Sequence, residues 1–395
     1  MFVKPIDIHP AWGLFRGMPS VYLDCNATTP LDPRVRQVLL RYLDEEYGNE
    51  GSRTHEYGSA AKRAVQQARD QVASVVDCKR EEVLFTSGAT ESNNLAILGL
   101  VDFGIANNRR HIVSTMIEHK AVLEPLADLE SRGFEVTYVK PQADGIVRAA
   151  DVLSALRPDT FLVTVMHVNN ETGVIQPLDE IASGMANHLA FLHVDAAQSF
   201  GKIIRTLKNQ RIDLISVSGH KVYAPKGIGV LITRRRGYEK VPLKPLMFGG
   251  GQERGIRPGT LPVALIAALG EAAALSVAES GKWMDRCASI KDEAIKALLP
   301  LGGIPVGPEG GVISSTLNIR FPMLDSEALI VGLQGYAAVS NGSACTSSSY
   351  KPSHVLKAMG MDDVSATRCV RLSWSHLTPN PDWDSISKRI EQLIS

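Results

Sequence analysis

Val83-Leu84-Phe85-Thr86-Ser87-Gly88-Ala89-Thr90-Glu91 carries three signals in nine residues. An apolar run reads as a strand, Ser-Gly as a tight turn, and the residues from Glu91 onward as a helix. The same alternation extends in both directions. His111–Thr115, Phe134–Val139, Phe161–Val168, Ala190–Val194, Leu214–Val217 and Gly229–Thr233 read as further strands, with a helix over about 120–132. Phe161–Val168 has no polar face, as expected of a strand covered on both sides. Strands alternating with helices predict an α/β fold with a mostly parallel, seven-stranded sheet.

This regime holds over residues 21–262, the expected large domain. Gly249-Gly250-Gly251 through Pro258-Gly259 punctuates its end, and a long helical region runs to about Leu299. Strands are then expected at Ser314–Ile319, Ala337–Val339 and Cys369–Ser373, with helices at Ser326–Leu333 and Asp384–Ile394. Residues 263–395 therefore read as a smaller α+β domain, and residues 1–20 as a segment packing on it.

The chain has 395 residues, with 42 Lys+Arg against 42 Asp+Glu. A zero formal charge argues against holding nucleic acid by bulk electrostatics. The apolar stretch Leu261–Ala278 contains Gly270 and Glu271, so it reads as a buried helix rather than a membrane span. The N-terminus carries Lys4 and Asp7 without an apolar signal core, so a cytoplasmic setting is expected. The five cysteines, Cys25, Cys78, Cys287, Cys345 and Cys369, form no CxxC pair, and the histidines lack metal-site spacing. No metal is expected.

Four segments carry chemistry. Ser218-Gly219-His220-Lys221 puts a lysine just past a buried strand. Such a lysine either reaches solvent or is an amine tuned by burial for covalent chemistry. Asp195 ends a strand, where it can cap a helix or pair with a ligand at the carboxyl edge of the sheet. Thr86–Glu91 is a capping box or a phosphate cradle. Cys345 lies within Ser340–Ser349, a Ser/Gly-rich stretch with no apolar face, and this suits an exposed, mobile thiol.

Taken together, these segments resemble the pyridoxal-phosphate cysteine desulfurases of the NifS/IscS type. Further matching pieces are Tyr22-Leu23-Asp24, Ala27-Thr28-Thr29-Pro30, Glu118-His119-Lys120-Ala121-Val122, His167-Val168-Asn169-Asn170-Glu171, His193-Val194-Asp195 and Gly259-Thr260-Leu261-Pro262. The resemblance spans about residues 21–375. It implies the fold-type-I transferase architecture, a homodimer, and conversion of L-cysteine to L-alanine with a persulfide on Cys345. The sulfur would pass to an acceptor protein, without direct contact to nucleic acid or membrane.

The resemblance also implies residue roles. Lys221 would hold pyridoxal 5'-phosphate and Asp195 would pair with its ring nitrogen. His119 would stack on the ring, Gln198 would meet its hydroxyl and Asn170 its edge. Ala89, Thr90, Ser218 and His220 would hold the phosphate, with Thr260 reaching in from a second subunit. Asn49 and Arg371 would clamp the substrate carboxylate, and residues 341–351 would form the mobile loop of Cys345.

Some residues depart from the family pattern. Cys25-Asn26 stands where a small pair is common, and Cys25 reads as a packed small residue rather than a second redox thiol. Asn49 lacks the proline that often follows it. Pro258 replaces a usual serine, which could alter the subunit contact. The chain stops soon after its terminal helix, whereas IscS enzymes carry a longer tail that docks the cluster scaffold. Arg234-Arg235-Arg236 reads as a solvated loop. The Cys25-Asn26 variation and the short tail resemble desulfurases serving DNA phosphorothioation of the Dnd or Ssp kind, with iron–sulfur assembly and tRNA thiolation as alternatives. Competing readings are a selenocysteine lyase, an aminotransferase, or a non-catalytic binding subunit on the same fold.

Overall fold

The computed structural model describes residues 20–342 and 352–395. Cys345 and residues 1–19 therefore lie outside the described residues. Twelve strands are present among those described: β1 (Val21–Tyr22), β2 (Val83–Thr86), β3 (His111–Thr115), β4 (Glu135–Val139), β5 (Thr160–Met166), β6 (Phe191–Asp195), β7 (Leu214–Ser218), β8 (Gly229–Thr233), β9 (Ile304–Pro305), β10 (Thr316–Arg320), β11 (Ala337–Ala338) and β12 (Cys369–Ser373). The helices used below are α1 (Pro33–Asp44), α2 (Glu56–Val76), α3 (Ala89–Leu98), α4 (Lys120–Ser131), α5 (Val263–Leu298), α6 (Ser326–Gly332), α7 (His354–Ala358) and α8 (Trp383–Ile394).

The main sheet has seven strands in the order β2-β8-β7-β6-β5-β3-β4. The run from β7 to β4 is parallel, and β8 is antiparallel to both β7 and β2. Every residue of β5, β6 and β7 is buried, which accounts for their largely apolar or small-residue character, broken only by His193 and Asp195 in β6. β4 is largely unburied, consistent with its place at the sheet edge. The predicted strands fall where expected, with ends shifted by a residue or two. α3 begins at Ala89, two residues before the expected Glu91.

A second, three-stranded sheet has the order β12-β10-β9, and β1 pairs in parallel with β11. Its core includes Leu317, Ile319, Val370, Leu372, Trp374, Ile386 and Ile390. Leu23 belongs to this core too, so the first described residues pack with the smaller unit.

α5 joins the two units. Ile266, Leu269 and Ala273 pack into the core of the main sheet, beside the α2 residues Val65, Val72 and Val76. Further along, Cys287, Ile290, Ala294 and Leu298 pack into the smaller core. The helix is apolar and long enough to cross a membrane by composition alone. Its apolar side chains are instead used in these two cores.

Arg234 contradicts the reading of a solvated loop. It is 2% exposed. Its guanidinium donates to the carbonyls of Leu207 (2.7 Å), Ile212 (3.0 Å), Asn209 (3.1 Å) and Val76. The chain's turns converge on these donors, which satisfy carbonyls that would otherwise be buried without partners.

Candidate active site

The parallel strands end at one cavity, of about 460 Å³. Open α/β sheets bind ligands at this edge. β6 delivers Asp195, β7 delivers Ser218, and the turn after β7 brings His220 and Lys221. α3 presents Ala89 and Thr90, α4 is preceded by His119, and β12 supplies Arg371. Asn170 and Gln198 also line the cavity.

The start of α3 is built for an anion. Its N-cap, Gly88, makes no side-chain cap, so the expected capping box is only half present. Glu91 accepts from the Ser87 N–H at 2.7 Å and pairs with Arg257 at 2.8 Å, but no side chain closes back on the first turn. Uncapped N–H groups and the helix dipole favour a phosphate there. Gly229 lets the sheet approach: a Cβ on it would stand 2.5 Å from the Gly88 Cα.

Asp195 caps a turn rather than a helix, and its other carboxylate oxygen is held by a side chain. Oδ1 accepts from the Ala197 N–H at 2.9 Å, which fixes the local turn. Oδ2 accepts from Asn93 Nδ2 at 2.7 Å. This pair of bonds sets the carboxylate's orientation within the cavity wall. Lys221 Nζ donates to the carbonyls of Asn26 and, at 2.7 Å, Ala27.

His119 caps α4, its Nδ1 accepting from the Ala121 N–H at 3.0 Å. This leaves Nε2 as the position for its proton. Burial lowers its pKa, and nearby Lys221 lowers it further against the opposing pull of Asp195. The ring is thereby biased toward its neutral form. His220 is pushed down to about 4, by burial first and then by Lys221 and Lys226. Its Nδ1 lies 3.1 Å from the Thr28 hydroxyl.

Arg371 is held at the cavity rim. Nη1 donates to the Asn170 carbonyl at 2.9 Å and Nη2 to Asp24 at 2.5 Å. Its Nε is buried and has no partner. Gln198 is similar: Nε2 donates to the Asn26 carbonyl at 3.0 Å, while Oε1 has no partner.

Two expected residues are not brought here. Asn49 is outside the cavity lining, and its Oδ1 closes a turn onto the Gly51 N–H at 2.8 Å. Thr260 is exposed and also outside the lining of its own chain's cavity. Cys25 is 1% exposed, with its thiol pushed up by burial, in keeping with a packed residue.

Three functional neighbours escaped the sequence reading. Asn93 orients Asp195. Glu118 is fully buried behind His119, and its Oε1 accepts from Thr115 at 2.7 Å and from the Met166 N–H at 2.9 Å. Burial pushes its pKa up to about 8. His354 reaches the Glu118 carbonyl at 2.9 Å. The Glu118-His119 dipeptide was the one available signal, since it joins a strand to a helix at the sheet's functional edge.

The residue set fits pyridoxal 5'-phosphate. An uncapped helix start faces the same cavity as a lysine amine, an oriented carboxylate, an imidazole and an unpartnered amide oxygen.

The chain is similar to several known proteins. The family described as Aminotransferase class-V matches residues 21–384. The curated cysteine desulfurase IscS of Shewanella oneidensis is 44% identical over 377 residues, covering 95% of this chain and 92% of that protein. The solved structure of a NifS-like protein has a TM-score of 0.87 and 35% identity, covering 95% of this chain and 99% of its own. The crystal structure of DndA from Streptomyces lividans is 47% identical with a TM-score of 0.79, covering 88% and 98%.

Proposed function

The chain belongs to the class-V aminotransferase family and is a pyridoxal-phosphate-dependent cysteine desulfurase; from that premise we propose that Lys221, Asp195, His119, Arg371 and Cys345 divide the reaction among them. The carrying observation is that the first four of these line one cavity beneath an uncapped helix start.

When bound, the cofactor supplies a protonated ring that accepts the electron pair released at the substrate's Cα. Lys221 holds it by its amine and then serves as the base at that carbon. Asp195, oriented by Asn93, keeps the ring nitrogen protonated. The N–H groups at Ala89 and Thr90, with Ser218 and His220, take the phosphate, and Thr260 adds to it across a homodimer. Gln198 and Asn170 fix the ring's edge. His119 would lie against the ring and would move a proton at Nε2, the nitrogen left free by its cap on α4. Arg371 grips the substrate carboxylate by its planar fork.

Sulfur transfer falls to Cys345. Its thiolate attacks the substrate sulfur, the carbon–sulfur bond breaks, and a sulfur–sulfur bond forms. L-cysteine and a thiol become L-alanine and a persulfide, with no outside oxidant. The persulfide then passes to an acceptor protein, in a cytoplasmic setting. The similarity to DndA supports DNA phosphorothioation as the route served.

The test supplies L-cysteine to the cofactor-loaded protein and measures alanine and persulfide. Cys345→Ala should keep the cofactor's visible absorbance and lose sulfur release. Undiminished release from that variant would overturn the assignment of Cys345.

A further inference from the structure

We propose that Tyr223 is a positioning residue for Lys221: its ring, set against Trp283 and His376, fixes the amine relative to Arg371. The inference rests on the reading of Lys221 as the base. Tyr223 lies two residues past Lys221, in the turn that follows β7. Its φ is +66°, in the left-handed region. A bulky residue there is an outlier, and such a backbone persists only where its surroundings over-determine it. Glycine would hold the same turn at no steric cost, so closing the turn does not by itself call for a tyrosine.

Backbone and side chain are held from different directions. Residues 26–32 hold the backbone: the Tyr223 N–H donates to the Thr29 hydroxyl at 3.0 Å, and its carbonyl accepts from the Asp32 N–H at 3.1 Å. The His220 carbonyl accepts from the N–H and the hydroxyl of Thr29, at 2.9 and 3.0 Å. Lys221 Nζ reaches the same segment at the carbonyls of Asn26 and Ala27. The Tyr223 ring is 1% exposed and stands nearly perpendicular to two others, Trp283 at 5.1 Å and 82° and His376 at 4.5 Å and 85°. Those two are stacked, 4.4 Å apart and 4° from parallel. The Tyr223 hydroxyl has no hydrogen-bond partner, so the residue acts here as a ring.

The three rings come from three places. Tyr223 belongs to the large unit, Trp283 to α5, and His376 to the segment that follows β12. β12 also carries Arg371, five residues before His376. The trio therefore joins the turn bearing the base to the strand bearing the carboxylate-gripping arginine. Those two groups act on adjacent carbons of one substrate, and a misplacement of about 1 Å costs about 10²-fold in rate. Trp283 Nε1 donates to Glu279 at 3.2 Å. Neither His376 nitrogen has a hydrogen-bond partner, and its Nε2 lies 3.8 Å from Asp32. His376 can thus be truncated without stranding a hydrogen-bonded group.

The test compares Tyr223→Phe, Tyr223→Ala, His376→Ala and the double variant Tyr223→Ala/His376→Ala. One readout is uptake: pyridoxal 5'-phosphate is added to the cofactor-free protein and the growth of visible absorbance is timed. The other is exchange of the L-alanine α-hydrogen in heavy water by the loaded enzyme, which reads the base without Cys345. Tyr223→Ala should slow exchange about tenfold and uptake at least about threefold, and His376→Ala should slow exchange about fivefold. Tyr223→Phe should match the wild type in both. The double variant should be no slower than Tyr223→Ala, as expected of rings acting through one contact. Unchanged exchange in either alanine variant, unchanged uptake in Tyr223→Ala, single-variant effects that multiply, or a phenylalanine variant as slow as the alanine one would overturn the proposal, as would a wild type that exchanges no α-hydrogen. Should Tyr223→Ala not fold, exchange by His376→Ala decides alone. A wild type that exchanges L-alanine but releases no sulfur from L-cysteine would end the desulfurase reading, while the exchange rates still judge Tyr223.

Discussion

The two ends of the main sheet use polar groups in opposite ways. At the end away from the cavity, donors are turned inward. Arg234 serves four carbonyls, and Arg211 and Arg236 share Asp213, each with a contact at 2.7 Å. Arg236 also lies over Phe191, 4.8 Å from the ring centre. At the carboxyl end, groups of the cavity lining are left short of partners: the α3 start is uncapped, and Gln198 Oε1 and Arg371 Nε have none, whereas of the three arginines at the opposite end Arg234 alone leaves a nitrogen, Nε, without one. A buried polar atom without a partner is costly. The contrast separates donors that stabilise the fold from groups held ready for a ligand.

Substitutions can break this comparison. The largest effect is expected for Lys221→Ala, which should abolish the visible absorbance of the lysine-bound cofactor and cut alanine formation by at least about 10³-fold. Its thermal unfolding in the absence of cofactor should be nearly unchanged, and a large loss of stability would place Lys221 among the structural donors. Arg234→Met should do the reverse. Stripping donors from buried carbonyls should cost about 3 kcal/mol by denaturant titration, with kcat per folded enzyme preserved.

Arg371→Lys should raise KM for L-cysteine about tenfold, because an ammonium cannot reproduce the two-pronged grip. An unchanged KM would remove Arg371 from substrate recognition. The smallest effect concerns Glu118. Its pKa rises from 4.5 to about 8 in the fold, so the native state binds more protons than the unfolded chain across that window. Stability attributable to it is complete at low pH and declines as pH rises toward 8. Glu118→Gln should flatten that decline and unfold at a higher temperature than wild type at pH 8. A lower melting temperature there would show that the ionised carboxylate is the form the fold needs.

The sheet was legible because its central strands are covered on both faces and therefore carry plain apolar runs. Lys221 and Asp195 were legible because each stands at the end of a strand, at the edge where ligands bind, whereas His119 was legible only through the family resemblance. Arg234 was misread because composition shows a basic triplet but cannot show the carbonyls of Val76 and Leu207 turning toward it. Asn93 and Glu118 were missed for a related reason. Their partners are remote, with Asn93 meeting a carboxylate 102 residues away and Glu118 accepting from an N–H 48 residues on. Local pattern carries no trace of such pairs. The start of α3 was displaced because Gly88, rather than a hydroxyl residue, occupies its cap.

α5 spans 36 residues, or about 54 Å at helical rise, and its two halves are claimed by different cores. A cut in its middle would leave each fragment with a bare apolar stripe, so neither half of the chain is a self-sufficient folding piece. Any tilt of the smaller unit must also be transmitted as torque along an unbroken rod, which ties the geometry of Arg371 and its neighbours to the far side of the larger sheet.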